Sequence, residues 1–199
     1  MQSIKKILLV FLCLLSISVM AATGPVDVLQ STSNNIVSSL AKLKQQGKLQ
    51  TNYIVHLVHR DLIPLVDAEQ MAMAVVGRQY WNSATPAEKK AFIKEFQTLV
   101  INTYAAAFAS YNNDQVKVYP LRTTPNEFAN VKSIIIRPNG NKIAVNYDMS
   151  KSNAGWKVTD FSIENISLIN NYRAQFKPVL RQQGFVGLIK RLAAKNRQS

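Results

Sequence analysis

The hydrophobic pattern in the last third of the chain predicts a strand with an irregularity in its middle. Trp156 and Val158 alternate with polar residues, which is the period of a strand with one apolar face. The parity then shifts, because Phe161 and Ile163 are the next apolar residues. A β-bulge near positions 159–160 would return both pairs to the same face of a sheet.

Helical spacing follows this strand almost at once. Ser167 is suited to cap a helix, and the residues that this helix would turn inward are Leu168, Ile169, Tyr172, Phe176 and Leu180. Gly184 interrupts the pattern. We therefore predict two closing helices, at 168–183 and 185–195.

The N-terminal half of the chain has helical periodicity. Helices are predicted at 25–44, 51–65, 68–81 and 85–111, with Gly77 inside the third. The fourth has the strongest start signal, because its first residues read Thr-Pro-Ala-Glu. Threonine at the cap, proline at the first position and glutamate at the third form a capping box.

The fourth helix carries rings along one face. It would be about 40 Å long, and its apolar face comprises Phe92, Phe96, Leu99, Val100, Thr103, Tyr104, Ala107, Phe108 and Tyr111. Any single ring fits ordinary core packing. The whole set exceeds what one helix needs as an anchor, so it also fits the wall of an apolar binding site.

Period-two alternation marks the middle of the chain. Strands are predicted at 116–119, 128–137 and 143–149, with a hairpin turn at 138–141. With the strand described above, they form a twisted four-stranded antiparallel meander that has one apolar face. The order of helices, strands and helices predicts an α+β fold, in a single domain at 22–199.

The first residues read as a targeting segment rather than as part of the fold. Lys5 and Lys6 form its positive region, and an apolar stretch follows that is short for a membrane span. Small residues then allow cleavage after Ala21 or Ala22. We expect a cleavable signal peptide at 1–21 and export to the periplasm.

Composition and charge narrow the possible partners. Hydrophobic residues make up 47% of the 199 residues and charged residues 18%, which supports a sizeable core. The formal net charge of +13 favours anionic partners such as lipid headgroups or acidic protein faces, and export argues against nucleic acid. Cys13, the only cysteine, lies in the predicted signal peptide. The mature chain is therefore expected to be stable by packing alone.

Catalytic and metal-binding patterns are weak. His56 and His59 have a helical spacing that can hold a metal, yet no suitable third ligand is near in sequence. Asp148, Asp160 and Glu164 could pair as an acid and a base, although an aspartate beside a bulge more often accepts backbone hydrogen bonds. Nucleophile motifs and glycine-rich phosphate loops are missing from the sequence. We expect neither an enzyme, a metal site nor a cofactor.

Basic residues offer a candidate contact for anions. A C-terminal cluster, which is either a solvated face or a surface for headgroups or an acidic partner, comprises Arg181, Lys190, Arg191, Lys195 and Arg197. Arg173 follows Tyr172 near the start of the closing helix. Its guanidinium could bind a phosphate in a bidentate manner, or form a salt bridge to Asp160 or Glu164.

Several segments together resemble the MlaC family, also called the toluene-tolerance family. The C-terminal segments are Gly155-Trp156-Lys157-Val158-x-Asp160 and Ile166-Ser167-Leu168-Ile169-x-Asn171-Tyr172-Arg173-x-Gln175-Phe176. The central residues are Gly77, Tyr80-Trp81, Ala84-Thr85-Pro86, Phe92, Phe96 and Tyr104. Weaker similarity covers Asp61-Leu62-Ile63-Pro64 and Gly184 with Leu188-Ile189. The chain departs from the pattern by having two residues, Arg78 and Gln79, before the aromatic pair.

The resemblance implies a periplasmic phospholipid carrier with an apolar cavity between its sheet and its helices. Such a carrier shuttles phospholipid between an outer-membrane complex of the lipoprotein MlaA with a porin and the MlaD component of an inner-membrane ABC transporter. This transport keeps the outer leaflet free of phospholipid. We expect a monomer with phospholipid as its cargo and no cofactor.

On this interpretation the lipid contacts come from the fourth predicted helix, the sheet and the closing helix. The predicted lipid-binding residues are Phe92, Phe96, Leu99, Tyr104, Phe108, Ile134, Ile136, Val145, Tyr147, Trp156, Val158, Phe161, Tyr172 and Phe176, with Arg173 at the headgroup. Two alternatives stay open. One is a periplasmic chaperone for lipoproteins or unfolded outer-membrane proteins, and the other is a small-molecule enzyme on a curved-sheet cone.

Overall fold

The computed structural model describes residues 23–198, so the predicted signal peptide and its cleavage site lie outside the described part. Its helices are α1 (Pro25–Gln45), α2 (Thr51–Leu57), α3 (Ala68–Val76), α4 (Arg78–Ser83), α5 (Pro86–Ala109) and α6 (Leu168–Asn196). Its strands are β1 (Gln115–Val118), β2 (Phe128–Ile136), β3 (Lys142–Ser152), β4 (Gly155–Ile163) and β5 (Ile166–Ser167). The α+β class predicted from the sequence is confirmed.

The segment predicted as one helix at 51–65 is helical throughout but changes type. After α2, one π-helical turn covers Val58–Leu62 and one 3-10 turn covers Ile63–Leu65. Pro64 has no N–H with which to continue an α-helical ladder, so the backbone tightens at this point.

The prediction of a single helix at 68–81 is wrong, because the helix is interrupted at Gly77. This glycine has φ 86° and ψ 151°, a conformation that only glycine adopts readily. The break separates α3 from α4 and lets the two helices point in different directions. Before the break, the Asp67 side chain caps α3 by accepting a hydrogen bond from the Gln70 N–H at 2.9 Å.

The capping box predicted for α5 is present. The Glu88 N–H donates to Thr85 Oγ1 at 3.3 Å, and the Thr85 N–H donates to Glu88 Oε2 at 2.7 Å. These bonds satisfy two of the four N–H groups that the first turn of a helix leaves without intrahelical partners.

The sheet is antiparallel and open, with strand order β1-β2-β3-β4-β5. The sequence predicted four strands, and the fifth forms because Glu164 and Asn165 adopt φ 49° and 66° in a tight turn. The predicted bulge is confirmed. Asp148 pairs with Asp160 and Met149 pairs with Val158, which leaves Thr159 as the extra residue.

The closing helix behaves as predicted at both its start and its kink. Ser167 Oγ accepts a hydrogen bond from the Asn170 N–H at 3.1 Å and caps α6. Gly184 has φ 67° and ψ −173° and bends the helix there. The two helices predicted on either side of this glycine are therefore the two arms of one kinked α6.

Three groups of buried side chains hold these elements together. The helical core joins α3, α4, α5 and α6, the α2–α5 core joins α1 and α2 to the C-terminal part of α5, and the α1–sheet core joins α1 to the sheet. Each large apolar side chain that is fully buried contributes about 1.5–3 kcal/mol of transfer free energy.

Candidate functional site

One face of the sheet packs against helices, and we call it the inner face. In the α1–sheet core, Leu29 of α1 meets the strand residues Val118, Val131, Met149, Trp156 and Val158. Residues directly opposite each other on neighbouring strands lie on the same face. The register therefore adds to the inner face the pairs Ser133–Val145, Ile135–Ile143 and Tyr147–Phe161.

The register corrects the predicted wall at two positions. Ile134 is opposite Ala144 and Ile136 is opposite Lys142, so both isoleucines lie on the outer face of the sheet. The run of three isoleucines does not alternate with polar residues, and the sequence therefore left the facing ambiguous. Ile135 is the member of the run that shares a face with Val145.

α5 packs mainly against other helices and reaches the sheet through a ring contact. α1 packs against β1, β2 and β4, and α6 packs against β4 and β5, whereas α5 packs mainly against α2, α3 and α6. Tyr104 of α5 reaches Phe161 of β4 in an edge-to-face contact, with ring centroids 5.7 Å apart. It is the one contact between an aromatic ring of a helix and an aromatic ring of the sheet among residues 23–198.

Four residues that the sequence predicted for lipid contact lie together where α5 meets the inner face. They are Tyr104, Val145, Tyr147 and Phe161. Val145 is only 5% exposed but falls outside all three cores of the described chain. The role of these residues in lipid binding stays a prediction, and the structure brings them to one place.

The remaining rings predicted for lipid contact lie elsewhere. Phe92 and Phe96 stack at 5.7 Å, and Phe96 meets Tyr172 edge-to-face at 5.2 Å. In the helical core these rings, with Leu99 and Phe176, fasten α5 to α6. Their packing explains the aromatic richness of α5 without a ligand.

The other predicted wall residues also take part in cores, as do the aromatic residues that follow Gly77. Phe108 packs on the α2–α5 core, and Trp156 and Val158 belong to the α1–sheet core. Trp81 is buried in the helical core, and Tyr80 packs against that core.

Hydroxyl groups give the inner region a polar component. Burial raises the pKa of the Tyr147 phenol, and the neighbouring Ser133 hydroxyl cancels part of this increase. Burial also raises the pKa of Tyr104, and the nearby Tyr172 and Asp160 add to this effect. These phenols stay protonated at neutral pH and can donate hydrogen bonds to a ligand.

Arg173 is engaged by the protein itself. Its Nε and Nη2 donate to the Ala74 carbonyl at 2.9 and 2.6 Å, and its Nη1 donates to Asn170 Oδ1 at 3.3 Å. The alternative salt bridge to Asp160 or Glu164 is wrong. Asp160 instead accepts bonds from the Ser167 hydroxyl at 2.5 Å and the Ile169 N–H at 3.1 Å, at the start of α6.

A shallow cleft lies between α3, α4 and α6. It has a volume of about 210 Å³, and its lining includes Tyr80, Arg173, Lys177 and Arg181. The cations follow one another at intervals of four residues on α6, so they lie on one face of the helix.

Residues 23–198 contain neither a cluster of metal ligands nor a membrane-spanning helix. His56 and His59 are exposed, and the described side chains contain no group of three potential metal ligands. None of the described helices combines the length and the apolar character that a membrane crossing requires.

Sequence reasoning missed Ser133, Ile135 and Arg137 on the inner face. Counting in steps of two from Val131 would have found them, because alternate residues of a strand lie on the same face of a sheet. That signal was hidden because the apolar residues of β2 do not alternate cleanly with polar ones.

Two curated proteins are similar to this chain in sequence over most of its length. A curated relative from Pseudomonas putida, "Toluene tolerance protein ttg2D", is 27% identical over 91% of this chain and 84% of its own length. A second, from Haemophilus influenzae, is named "Intermembrane phospholipid transport system binding protein MlaC". It is 27% identical over 86% of this chain and 82% of its own length.

A solved structure extends the similarity to three dimensions. It is the phospholipid-binding protein from Ralstonia solanacearum, determined in complex with a phospholipid. It aligns with a TM-score of 0.81 and 26% identity, over 88% of this chain and 98% of that one. The family model described as "MlaC protein" matches residues 30–194. This chain therefore belongs to the MlaC family.

Proposed function

We propose that this protein is a periplasmic phospholipid carrier that holds acyl chains between α5 and the inner face of the sheet. The observation that carries the proposal is that Tyr104 of α5 meets Phe161 on the inner face, where Tyr147 and Val145 lie on the neighbouring strand. The phospholipid held by the Ralstonia solanacearum protein, whose fold this chain shares, supports the same assignment.

A carrier of this kind has to replace the bilayer for two acyl chains. These chains contain on the order of 30 methylenes, and exposure to water costs about 0.8 kcal/mol for each, or about 25 kcal/mol in total. An apolar wall removes most of that cost. The headgroup stays at the opening, since burying an unpaired phosphate would be expensive.

The proposed cycle moves lipid between an outer-membrane MlaA-type lipoprotein–porin complex and an inner-membrane MlaD-type component of an ABC transporter. It needs no covalent chemistry and no cofactor, because binding and release of the cargo are the whole reaction. The name of the Haemophilus influenzae relative, which includes intermembrane phospholipid transport, supports this role.

The first test is native mass spectrometry of the protein purified from the periplasm without detergent, with extraction of any bound lipid. The expected result is a stoichiometric phospholipid. An empty protein that instead captures lipoprotein or unfolded outer-membrane protein would contradict the carrier and support a chaperone. Turnover of a small molecule without retained lipid would support an enzyme.

Two neighbouring positions on β2 provide a matched pair of variants. Ile135→Trp places a large ring on the inner face and should exclude acyl chains, whereas Ile134→Trp places the same ring on the outer face. We expect lipid retention to fall severalfold only in the Ile135 variant, with both proteins folded by circular dichroism. Equal retention in the two folded variants would contradict the proposed location of the cargo.

The shuttle itself is tested by transfer of a fluorescent phospholipid from the loaded carrier to an MlaD-type protein in proteoliposomes. Transfer should depend on the acceptor protein. Transfer that is equally fast to plain vesicles would contradict handover between proteins.

A further inference from the structure

An arginine at the hairpin end of the inner face has a buried N–H group without an acceptor. Arg137 directly follows β2, and the alternation of Val131, Ser133 and Ile135 places it on the inner face. Its Nε is buried and has no hydrogen-bond partner among the described residues. The residue as a whole is partly exposed, so it lies at an edge of the protein interior.

An arginine in this state is suited to an anionic ligand. Its guanidinium stays charged and offers five N–H donors in a fixed geometry that matches phosphate. In the described chain, Arg137 has no ion pair with a carboxylate, whereas Arg60 is paired with Asp61 at 2.6 Å. A buried donor without an acceptor costs free energy that a bound phosphate oxygen would recover.

A second buried polar group lies further in along the same face. Ser133 is 3% exposed, and its hydroxyl lies beside the Tyr147 phenol, whose pKa it lowers, although no hydrogen bond of standard length and angle joins the two among residues 23–198. Four residues of extended strand separate the Cα atoms of Ser133 and Arg137 by roughly 13 Å, and the long arginine side chain can shorten the gap between their polar groups. Ile135 lies between them on this face.

The order of groups along β2 matches the order of groups in a glycerophospholipid. From the hairpin end inward there is a cation, then Ile135 and a hydroxyl donor, then Tyr147 and Phe161 of the proposed lipid wall. From the headgroup inward, the lipid has an anionic phosphate, then ester carbonyls that only accept hydrogen bonds, then acyl chains. We propose that Arg137 binds the phosphate and that Ser133 donates to an ester carbonyl. This proposal rests on the proposed carrier function.

Arg173, the headgroup candidate from the sequence, differs from Arg137 in its surroundings. The donors of Arg173 are directed to Ala74 and Asn170. Arg137 retains a buried donor for a ligand. This contrast makes Arg137 the better candidate for reading the lipid phosphate.

The test is a competition measured by native mass spectrometry. The protein is incubated with detergent micelles that contain equal amounts of palmitoyl-oleoyl phosphatidylethanolamine, palmitoyl-oleoyl glycerol, which lacks the phosphate, and the diether analogue of the phosphatidylethanolamine, which lacks the carbonyls. Arg137→Gln should lower the ratio of bound phosphatidylethanolamine to diacylglycerol about tenfold. Arg122→Gln is the control, because Arg122 is exposed in the loop after β1 and its loss changes the net charge equally.

The contact with the ester carbonyl is tested by the ratio of bound diester lipid to bound diether lipid. Ser133→Ala should reduce the preference for the diester over the diether lipid to about one, and Ser162→Ala on the outer face should leave it unchanged. Arg137→Lys keeps the positive charge but lacks the Nε donor, so its preference for the phosphate-containing lipid should lie between those of the wild type and Arg137→Gln. It also provides a second folded variant if Arg137→Gln does not fold.

The outcomes separate this proposal from the carrier function. If the wild-type protein binds phospholipid but the Arg137 variants keep the phosphate preference of the Arg122 control, the phosphate assignment is overturned and the carrier function stands. An unchanged ester preference in Ser133→Ala overturns the ester contact. If the wild-type protein binds none of the three lipids, the carrier function fails first, and this proposal fails with it.

Discussion

Tyr104 of α5 and Phe161 of β4 meet edge-to-face, with ring centroids 5.7 Å apart and planes at 66°. Both rings are only partly buried, and they lie where the helical layer passes over the sheet. The bulge at Thr159 is what brings Phe161 onto the same face as Val158, so a local irregularity in β4 creates this contact.

The contact predicts energetic coupling between the two layers. A double-mutant cycle with Tyr104→Leu and Phe161→Leu should give a coupling free energy of about 0.5–1.5 kcal/mol in urea unfolding. Either single variant should also release bound lipid faster, since the layers would separate more easily. Additive stability changes, with a coupling near zero, would contradict a direct contact between the rings.

Arg173 is predicted to act on stability rather than on lipid binding. Its two hydrogen bonds to Ala74 satisfy a carbonyl in the last turn of α3, where a cation is favourable. Arg173→Gln should lower the free energy of unfolding by about 1 kcal/mol and leave the bound lipid unchanged.

Lys177→Gln, one turn further along α6, is the matched control for Arg173→Gln and should change stability by less than about 0.5 kcal/mol. Both variants are assessed by urea unfolding and lipid extraction. Selective loss of phospholipid from folded Arg173→Gln would restore the headgroup role predicted from the sequence.

Asp160 is predicted to be the stabilising carboxylate of the strand-to-helix junction. It accepts hydrogen bonds from Ser167 and from the Ile169 N–H, so it adds to the cap of α6. Asp160→Ala should cost about 1–3 kcal/mol of unfolding free energy, because it leaves partly buried donors without an acceptor.

Asp148, opposite Asp160 on β3, tests whether this cost is specific. It is exposed and accepts a bond from Asn130 Nδ2 at 2.7 Å. Asp148→Ala should cost less than about 1 kcal/mol in the same unfolding experiment. Equal losses in the two alanine variants would contradict a capping role for Asp160.

The buried phenols predict a loss of stability in alkali. Burial raises the pKa of Tyr147 above its ordinary value of 10.0, so the folded state keeps the proton where the unfolded state has released it. The stabilisation is complete below pH 10 or so and is lost as pH rises through the folded pKa. Tyr147→Phe should therefore show a smaller decrease in unfolding free energy between pH 9 and about 11.

Tyr119→Phe serves as the control for this titration, because the Tyr119 side chain is exposed. Measuring both variants against the wild type removes the contribution of other groups that titrate in alkali. An identical pH dependence in Tyr147→Phe and Tyr119→Phe would contradict the effect of burial on Tyr147.

The sequence by itself determined the features that depend on a few neighbouring residues. The capping box of α5, the bulge in β4, the Ser167 cap and the interruption at Gly184 were all predicted, and the structure confirms each. Their causes act over a few residues and are therefore written in the local pattern. Gly77 is an exception, because a glycine is compatible both with a helix and with a break.

Only the tertiary structure decided which surface each apolar residue meets. Phe96 packs on Tyr172 rather than on the sheet, Ile135 rather than Ile134 shares a face with Val145, and Arg173 bonds to a carbonyl 99 residues away. Periodicity shows that a residue is buried, but its partner depends on how separate elements pack. The hydrophobic effect that drives this packing has no direction of its own, so shape and register make the choice.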